Sequence, residues 1–286
     1  MSPNEPNMPT DGAFSQRPMM RRFRRSGGGS ACLARLCHVL ASLAALFPAA
    51  AGAADCPTAF DTSVVARGLD AHGDIALADG RTIRLAALAD ITASPDPARR
   101  AALDRLVAGR TLTLAIADST PDRYGRLAAL ARLPDGKLLQ QAALEEGLAV
   151  ARPEAGYIGC MPALIAAEQP ARTAGLGVWA RLPLKAAPPE ALASAAGHFS
   201  VVTGRVLTVG STRRLDYLNF GPVWRQDTTV RVDESGRAAL QAHGLDVASL
   251  AGREVMLRGD VDLVDGPLID LRWAEQMEVV AEAAKP

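Results

Sequence analysis

Between Ser63 and Leu133, short apolar runs suited to strands alternate with turns, and one stretch, Ala98 to Val107, breaks that rhythm with helical spacing. Ser63 to Leu88 reads as strands broken by glycine turns, with Asp79-Gly80 as a hairpin signal, so it supplies a three-stranded start to a small barrel. Ala101, Leu103, Leu106 and Val107 form a rough apolar stripe on the helix, which Gly109 ends. Strands follow at Thr111 to Ala117 and Leu127 to Leu133, before the Pro134-Asp135-Gly136 turn. A second helix is expected over Leu138 to Glu146, closed by Gly147, where a left-handed C-cap is cheapest for glycine. A third, Met161 to Ala174, contains Pro170, which predicts a kink or a restart. Five strands with one helix inserted and two appended suit an antiparallel barrel with a helical flank, onto which Val178-Trp179 packs back.

The chain of 286 residues is 49% hydrophobic, with 25 glycines and 19 prolines, and has room for an export segment and two modest domains. A basic run, Arg21-Arg22-Phe23-Arg24-Arg25, follows a second candidate start at Met19-Met20 and precedes the Ala- and Leu-rich stretch Ala31 to Ala50. Ala51-Gly52-Ala53 then offers the small residues a signal peptidase accepts. Residues 1–54 therefore read as a signal segment, and the expected location is exported, periplasmic or secreted. The alternative is an uncleaved anchor, but Arg35 and His38 leave an apolar run shorter than the roughly 18 residues a span requires. Residues 1–54 hold six basic and two acidic residues, so the remainder carries 25 against 29, net −4. That balance argues against strong non-specific duplex binding, which needs many Lys and Arg contacts to phosphates, and leaves room for a local basic groove.

Of the four cysteines, Cys32 and Cys37 fall in the signal segment. Cys56 and Cys160 remain, an even pair in an oxidising compartment, and are expected to form one disulfide; the alternative is two buried thiols. Closing a loop of roughly 100 residues contributes about 4 kcal/mol. Two cysteines without a histidine cluster do not make a zinc site. The first domain is expected over residues 55–181, and a Pro- and Ala-rich linker over 182–198. A second domain, 199–286, reads as strands at Val201 to Val209, Leu215 to Phe220, Thr228 to Val232, Glu254 to Leu263 and Leu268 to Leu271, with a helical piece near Arg237 to His243. Five strands with a helix before the fourth is the strand order of an OB-fold.

Two arginines on adjacent strands of the first domain, Arg84 and the Arg126 of Asp122-Arg123-Tyr124-Gly125-Arg126, suggest a phosphate site, because guanidinium groups grip phosphodiesters through paired charged hydrogen bonds. Around them, Gly73-Asp74, Arg81-Thr82-Ile83-Arg84-Leu85-Ala86, Leu144-Glu145-Glu146-Gly147-Leu148-Ala149, Glu168, Ala171-Arg172 and Gly177-Val178-Trp179-Ala180 occur in the order seen in the thermonuclease (staphylococcal nuclease-like) family, which the stretch Val64 to Ala180 resembles. The resemblance implies an OB-like barrel with three helices, hence a mainly β chain with some α. In members that cut nucleic acid, two aspartates hold one calcium ion, a glutamate orients or deprotonates water, and two arginines clamp the phosphate. Carried over residue by residue, the first aspartate is Asp74 and the arginines are Arg84 and Arg126.

The remainder departs from that pattern. Active members usually show Asp-Gly-Asp-Thr where this chain has His72-Gly73-Asp74-Ile75, and Ala-Gly-Ile-Asp-Ala-Pro-Glu where it runs Ala86-Ala87-Leu88-Ala89-Asp90-Ile91-Thr92. In the ungapped register Ala89 replaces the second metal aspartate and Thr92 the glutamate. A bulge would bring Asp90 to the metal instead. Structural alternatives stand beside these roles: Asp74 capping the turn after Gly73, Arg126 pairing with Asp122 or with a carboxylate on the facing strand, and His72 as an exposed turn residue.

The second domain resembles, more loosely, OB-like modules that follow such domains in exported bacterial proteins, through Tyr217-Leu218-Asn219-Phe220-Gly221, Trp224-Arg225, Leu250-Ala251-Gly252-Arg253, Arg258-Gly259-Asp260-Val261 and Gly266-Pro267-Leu268-Ile269. Alternation puts Leu218 and Phe220 on the core face and Tyr217 on the other. Tyr217, Trp224, Arg213, Arg214 and Arg225 are the candidate nucleic-acid surface; the alternative is packed aromatics and solvated arginines. Two functions are expected. The first is an exported thermonuclease-family protein with a degenerate site and no cofactor, binding single-stranded nucleic acid or another phosphate polyanion. The other is a working calcium-dependent endonuclease on DNA or RNA, using Asp74, Asp90, Arg84 and Arg126. Neither implies stable membrane association once the signal segment is cleaved.

Overall fold

The computed structural model describes residues 56–89, 96–223 and 225–280. The expected signal segment, Asp90, Thr92 and Trp224 lie outside the described residues. The first barrel is built from β1 (Thr62–Leu69), β2 (Ile75–Leu77), β3 (Thr82–Leu85), then β4 (Leu88–Ala89), α1 (Pro97–Val107), β5 (Thr111–Ala115) and β6 (Arg126–Arg132). Hydrogen bonding closes the circuit β1-β2-β3-β6-β5, all antiparallel except β3 with β6. Strand alternation turns Ile75, Leu77, Ile83, Leu112, Leu114 and Leu127 into the core. Asp96 caps α1 by accepting from the amides of Ala98 and Arg99, both at 3.1 Å, with Pro97 at the first helical position. A register shift between Ala66 and Gly68 bends β1 towards α1. There Asp104 Oδ1 accepts from the Leu69 amide at 2.8 Å, and a Cβ on Gly68, at φ +131°, would lie 2.8 Å from that oxygen.

Around the barrel run α2 (Leu139–Glu145), β7 (Val150–Ala151), paired with β4, and α3 (Met161–Ala174). Helix α3 passes through Pro170 without restarting, held on either side of the proline by the buried Leu164, Glu168 and Ala171. Gly147 follows α2 at φ +67° and meets Gly177 so closely that a Cβ on Gly177 would lie 2.1 Å from the Gly147 carbonyl oxygen. The expected disulfide is present: Cys56 and Cys160, 104 residues apart, join the strand-side tail to the start of α3.

The Pro- and Ala-rich stretch 182–198 carries β8 (Leu184–Lys185) and α4 (Glu190–Ala193), and buries Ala186 and Leu192 in the core of the second barrel. Thr228 Oγ1 donates to the Ala186 carbonyl at 2.6 Å. The second barrel continues with β9 (Phe199–Arg205), β10 (Thr208–Ser211), β11 (Asp216–Asn219), β12 (Thr229–Val232), α5 (Glu234–Ala242), β13 (Glu254–Asp260), β14 (Asp262–Leu263), β15 (Pro267–Leu271) and β16 (Met277–Val279). Two sheets form, β10-β11-β12-β15-β14 and β16-β13-β9-β8.

Two of the strands expected from sequence are each broken at a corner. Val206 donates to Arg253 beside β13 whereas Leu207 donates to Asn219 of β11; Val261 donates to His198 beside β9 whereas Asp262 pairs with Leu268 of β15. With β9–β10 taken as one bent strand and β13–β14 as another, the pairing circuit repeats that of the first barrel: an antiparallel meander, one parallel pair, and a helix before the fourth strand. This is OB topology split over two sheets.

Both barrels lie within one compact unit. Val150, Ala171, Val178 and Trp179 of the first pack on Phe199, Val201 and Met256 of the second. Inside the seam, Arg258 of β13, 3% exposed, grips Glu168 of α3, 1% exposed, with Nη1–Oε1 at 3.2 Å and Nη2–Oε2 at 3.0 Å. Arg258 Nη1 also donates to the Ala151 carbonyl at 2.9 Å, and the Ala151 amide donates to Glu168 Oε1. An unpaired buried charge is expensive, so Arg258→Met alone is expected to lower stability by about 3–5 kcal/mol in urea unfolding, and Arg258→Met with Glu168→Leu to recover most of it. Replacing Cys56 and Cys160 together with serine is expected to lower stability by about 4 kcal/mol in the same measurement, through loop closure.

Candidate functional site

Strands β3 and β6 pair in parallel with Thr82 opposite Arg126 and Arg84 opposite Ala128. Arg84 and Arg126 are thus an even number of positions apart in register and project to the same face of the sheet. Both line a cleft of about 980 Å³ between the barrels.

Arg126 is placed by the turn that precedes it. Asp122 Oδ1 accepts from the amides of Tyr124 at 2.9 Å and Arg126 at 3.0 Å, and Gly125 takes φ +76° to complete the reversal. The other oxygen, Oδ2, accepts from Arg126 Nε at 2.9 Å and Nη2 at 2.8 Å. Arg126 Nη1 reaches across to Asp74 at 3.0 Å. Tyr124, 65% exposed, lies flat beside this pair, its ring centroid 5.0 Å from the Arg126 guanidinium carbon and 4.7 Å from that of Arg123. The Asp122 bonds raise the Arg126 pKa, and the Arg126 side chain, countered by the carboxylate's own desolvation, holds Asp122 down at about 2.

Asp74 does not cap the turn after Gly73. That work falls to Asp70, whose Oδ1 accepts from the amides of His72 at 2.8 Å and Asp74 at 3.0 Å, while Arg100 of α1 donates to the Asp70 carbonyl. His72 is exposed in the turn. The Asp74 side chain is left to face Arg126 from a buried position, 8% exposed. Ala89, at the ungapped position of the second metal aspartate, is buried with Val150 and Trp179. Among the described residues no group of three His, Cys, Asp or Glu converges to hold a metal. Asp74, the one expected metal ligand among the described residues, is already bonded by Arg126, whereas calcium takes six to eight oxygen ligands.

Glu154, which the sequence reading did not single out, completes the arrangement. Following β7, it offers Oε2 to Arg84 Nη1 at 2.9 Å and Oε1 to Arg84 Nη2 at 2.5 Å, and the Ala87 amide donates to Oε2 at 3.0 Å. This pairing raises the Arg84 pKa against the opposing effect of burial. Ala87 presents its amide from φ +59°, a left-handed conformation uncommon for a residue with a Cβ; it stands where the family pattern has glycine. Gln140, fully buried, bonds the Ala86 and Ala129 carbonyls and the Ala131 amide and so fixes the strand from which Ala87 turns. The signal for Glu154 was present in Arg152-Pro153-Glu154, charges set immediately after the apolar Val150-Ala151.

The opposite wall of the cleft comes from the second barrel: Phe199, Asp260, Asp262, Asp270, Arg272 and Trp273. Asp260 pairs with Arg152 at 2.8 Å and Asp270 with Arg231 at 2.6 Å. Of the second domain's candidate nucleic-acid surface, none of the described residues, Tyr217, Arg213, Arg214 and Arg225, lines this cleft. Arg213 and Arg214 are exposed in the β10–β11 turn, Arg225 is exposed in the β11–β12 connection, and Tyr217 is half-buried opposite Arg231 on the outer face, while Leu218 and Phe220 are buried as expected.

A closed five-stranded barrel with a helix before its fourth strand, flanked by helices and carrying paired arginines on neighbouring strands, defines the class as a nuclease-type OB barrel. The family comparison agrees: residues 97–181 match the family described as Staphylococcal nuclease homologue, so the chain carries a staphylococcal nuclease-like domain there. The match spans α1, β5, β6 with Arg126, α2, Glu154 and α3. No curated protein matches the chain.

Because the folded pKa of Asp122 lies below its ordinary 3.8, its bonds stabilise the fold fully above about pH 4, and the stabilisation is lost as the pH falls through 2. Carboxyl NMR is expected to show Asp122 still ionised at about pH 3 and, in Arg126→Ala, its midpoint returned towards 3.8.

Proposed function

We propose that this is an exported nuclease-family protein that uses the cleft between its barrels to bind nucleic acid or another phosphate polyanion and has lost efficient hydrolysis. The observation that carries the reading is the pairing of Arg84 and Arg126 on one face of the cleft while Ala89 fills the position of a metal-binding aspartate. Guanidinium groups retain their charge at any physiological pH, so affinity for phosphate outlasts the loss of the groups that activate water. The net charge of −4 outside residues 1–54 restricts that affinity to the cleft rather than the general surface.

A second reading, calcium-dependent phosphodiester cleavage, draws on the position of Asp74 beside Arg126. It requires Asp90 to bring a further carboxylate and another residue to activate water.

The purified chain is expected to bind a fluorescein-labelled twelve-nucleotide oligothymidine in chelator, measured by anisotropy, and to lose at least about tenfold in affinity in Arg84→Ala, Arg126→Ala. Calcium is expected to leave the oligonucleotide intact on a denaturing gel. Calcium-dependent cutting that disappears in the double variant would establish the second reading, and unchanged binding in that variant would remove the cleft from both.

A further inference from the structure

We propose that Glu154 is a built-in anion that occupies the phosphate seat on Arg84, so that a ligand phosphate binds by displacing it. The inference rests on the reading of the cleft as a polyanion site.

Three donors converge on the Glu154 carboxylate: both terminal nitrogens of Arg84 and the amide of Ala87. A planar fork and a backbone amide aimed at one point form the arrangement that also receives the oxygens of a phosphate. The amide is presented from the left-handed backbone of Ala87, a conformation uncommon for a residue with a Cβ. It directs the donor at the seat rather than at a carbonyl of the sheet.

The occupant is held differently from the seat. The Glu154 backbone is fixed, its carbonyl accepting from the Tyr157 amide at 3.0 Å, whereas its side chain is 17% exposed and that of Arg84 is 32% exposed, both on the cleft. The sealed pair of Glu168 and Arg258 is far more buried, at 1% and 4% side-chain exposure. The Arg84–Glu154 pair is half-buried but open to the cleft, and a polyanion with several phosphates can outcompete one carboxylate. The neighbouring Arg126 is partnered by Asp122 and Asp74, so in the unoccupied protein both of these guanidinium groups are paired with carboxylates.

The test compares oligothymidine binding by the full chain with that of Glu154→Gln, which keeps the shape, and Glu154→Ala, which empties the seat, each checked by thermal melting. Both variants are expected to bind at least tenfold more tightly than wild type, and the dependence of affinity on salt to steepen by about 0.7 of a logarithmic unit per logarithmic unit, one added single-strand phosphate contact. Arg84→Ala in the Glu154→Gln background should abolish the gain. Asp118→Asn removes an equal charge from an exposed loop of the same barrel and should change affinity less than twofold.

Equal gains in Asp118→Asn and Glu154→Gln, or affinity within twofold of wild type, would overturn the proposal. Weaker binding in Glu154→Gln would make Glu154 a positioning residue for Arg84, and calcium-dependent cleavage lost in Glu154→Gln would make it part of the catalytic apparatus; either result overturns it too. Should no form bind the oligonucleotide, calorimetry with inorganic pyrophosphate separates the two ideas. Binding to Glu154→Gln but not to its Arg84→Ala derivative keeps the seat and removes only the nucleic-acid reading, whereas no binding removes both.

Discussion

The two barrels act as one body because of the Arg258–Glu168 pair sealed in the seam between them. Taking both charges out of water costs several kcal/mol each, and the cost is offset by directed bonds: Arg258 to Glu168 and the Ala151 carbonyl, and the Ala151 amide to Glu168. Ala151 belongs to β7, which pairs with β4, the strand ending at Ala89. The pair therefore holds the strand that leads directly to Arg152, Pro153 and Glu154. The floor of the cleft and its far wall are set by the same contact.

Arg84 and Arg126 are each bonded to carboxylates of the chain itself, Arg84 to Glu154 and Arg126 to Asp74 and Asp122. In a hydrolytic site of this chemistry the carboxylates would be directed to a metal and a water. Here they are directed to the arginines, with pKa effects to match: Asp122 lowered, Arg84 and Arg126 raised. In the proposed displacement, phosphate recognition would be an exchange of one anion for another, favouring ligands that present several phosphates over a single one.

Most of the secondary structure was legible from the sequence because it follows local rules. The helix expected at Ala98 to Val107 forms over Pro97–Val107 with Asp96 as its cap, and the one at Leu138 to Glu146 forms over Leu139–Glu145. Where prediction and structure part, long-range pairing is the cause. Val206–Leu207 and Val261 have the composition of strand interiors, yet they sit at corners where the chain changes partners, and Ala186 and Leu192 lie in a stretch whose proline content signals a linker but whose side chains fill the second core. The Pro170 restart is absent for a similar reason, since packing on both sides holds α3 together.

The sequence by itself determined the barrel, the Cys56–Cys160 bond, and the placing of Arg84 and Arg126 on neighbouring strands, because strand period, cysteine count and a turn such as Asp122 to Gly125 act over a few residues or leave little choice of partner. Only the tertiary structure decided what those arginines touch. Glu154 is 70 positions from Arg84, and Asp74 is 52 from Arg126. Such pairs carry no period and no spacing, and they exist only once the sheet has closed and β7 has docked against it.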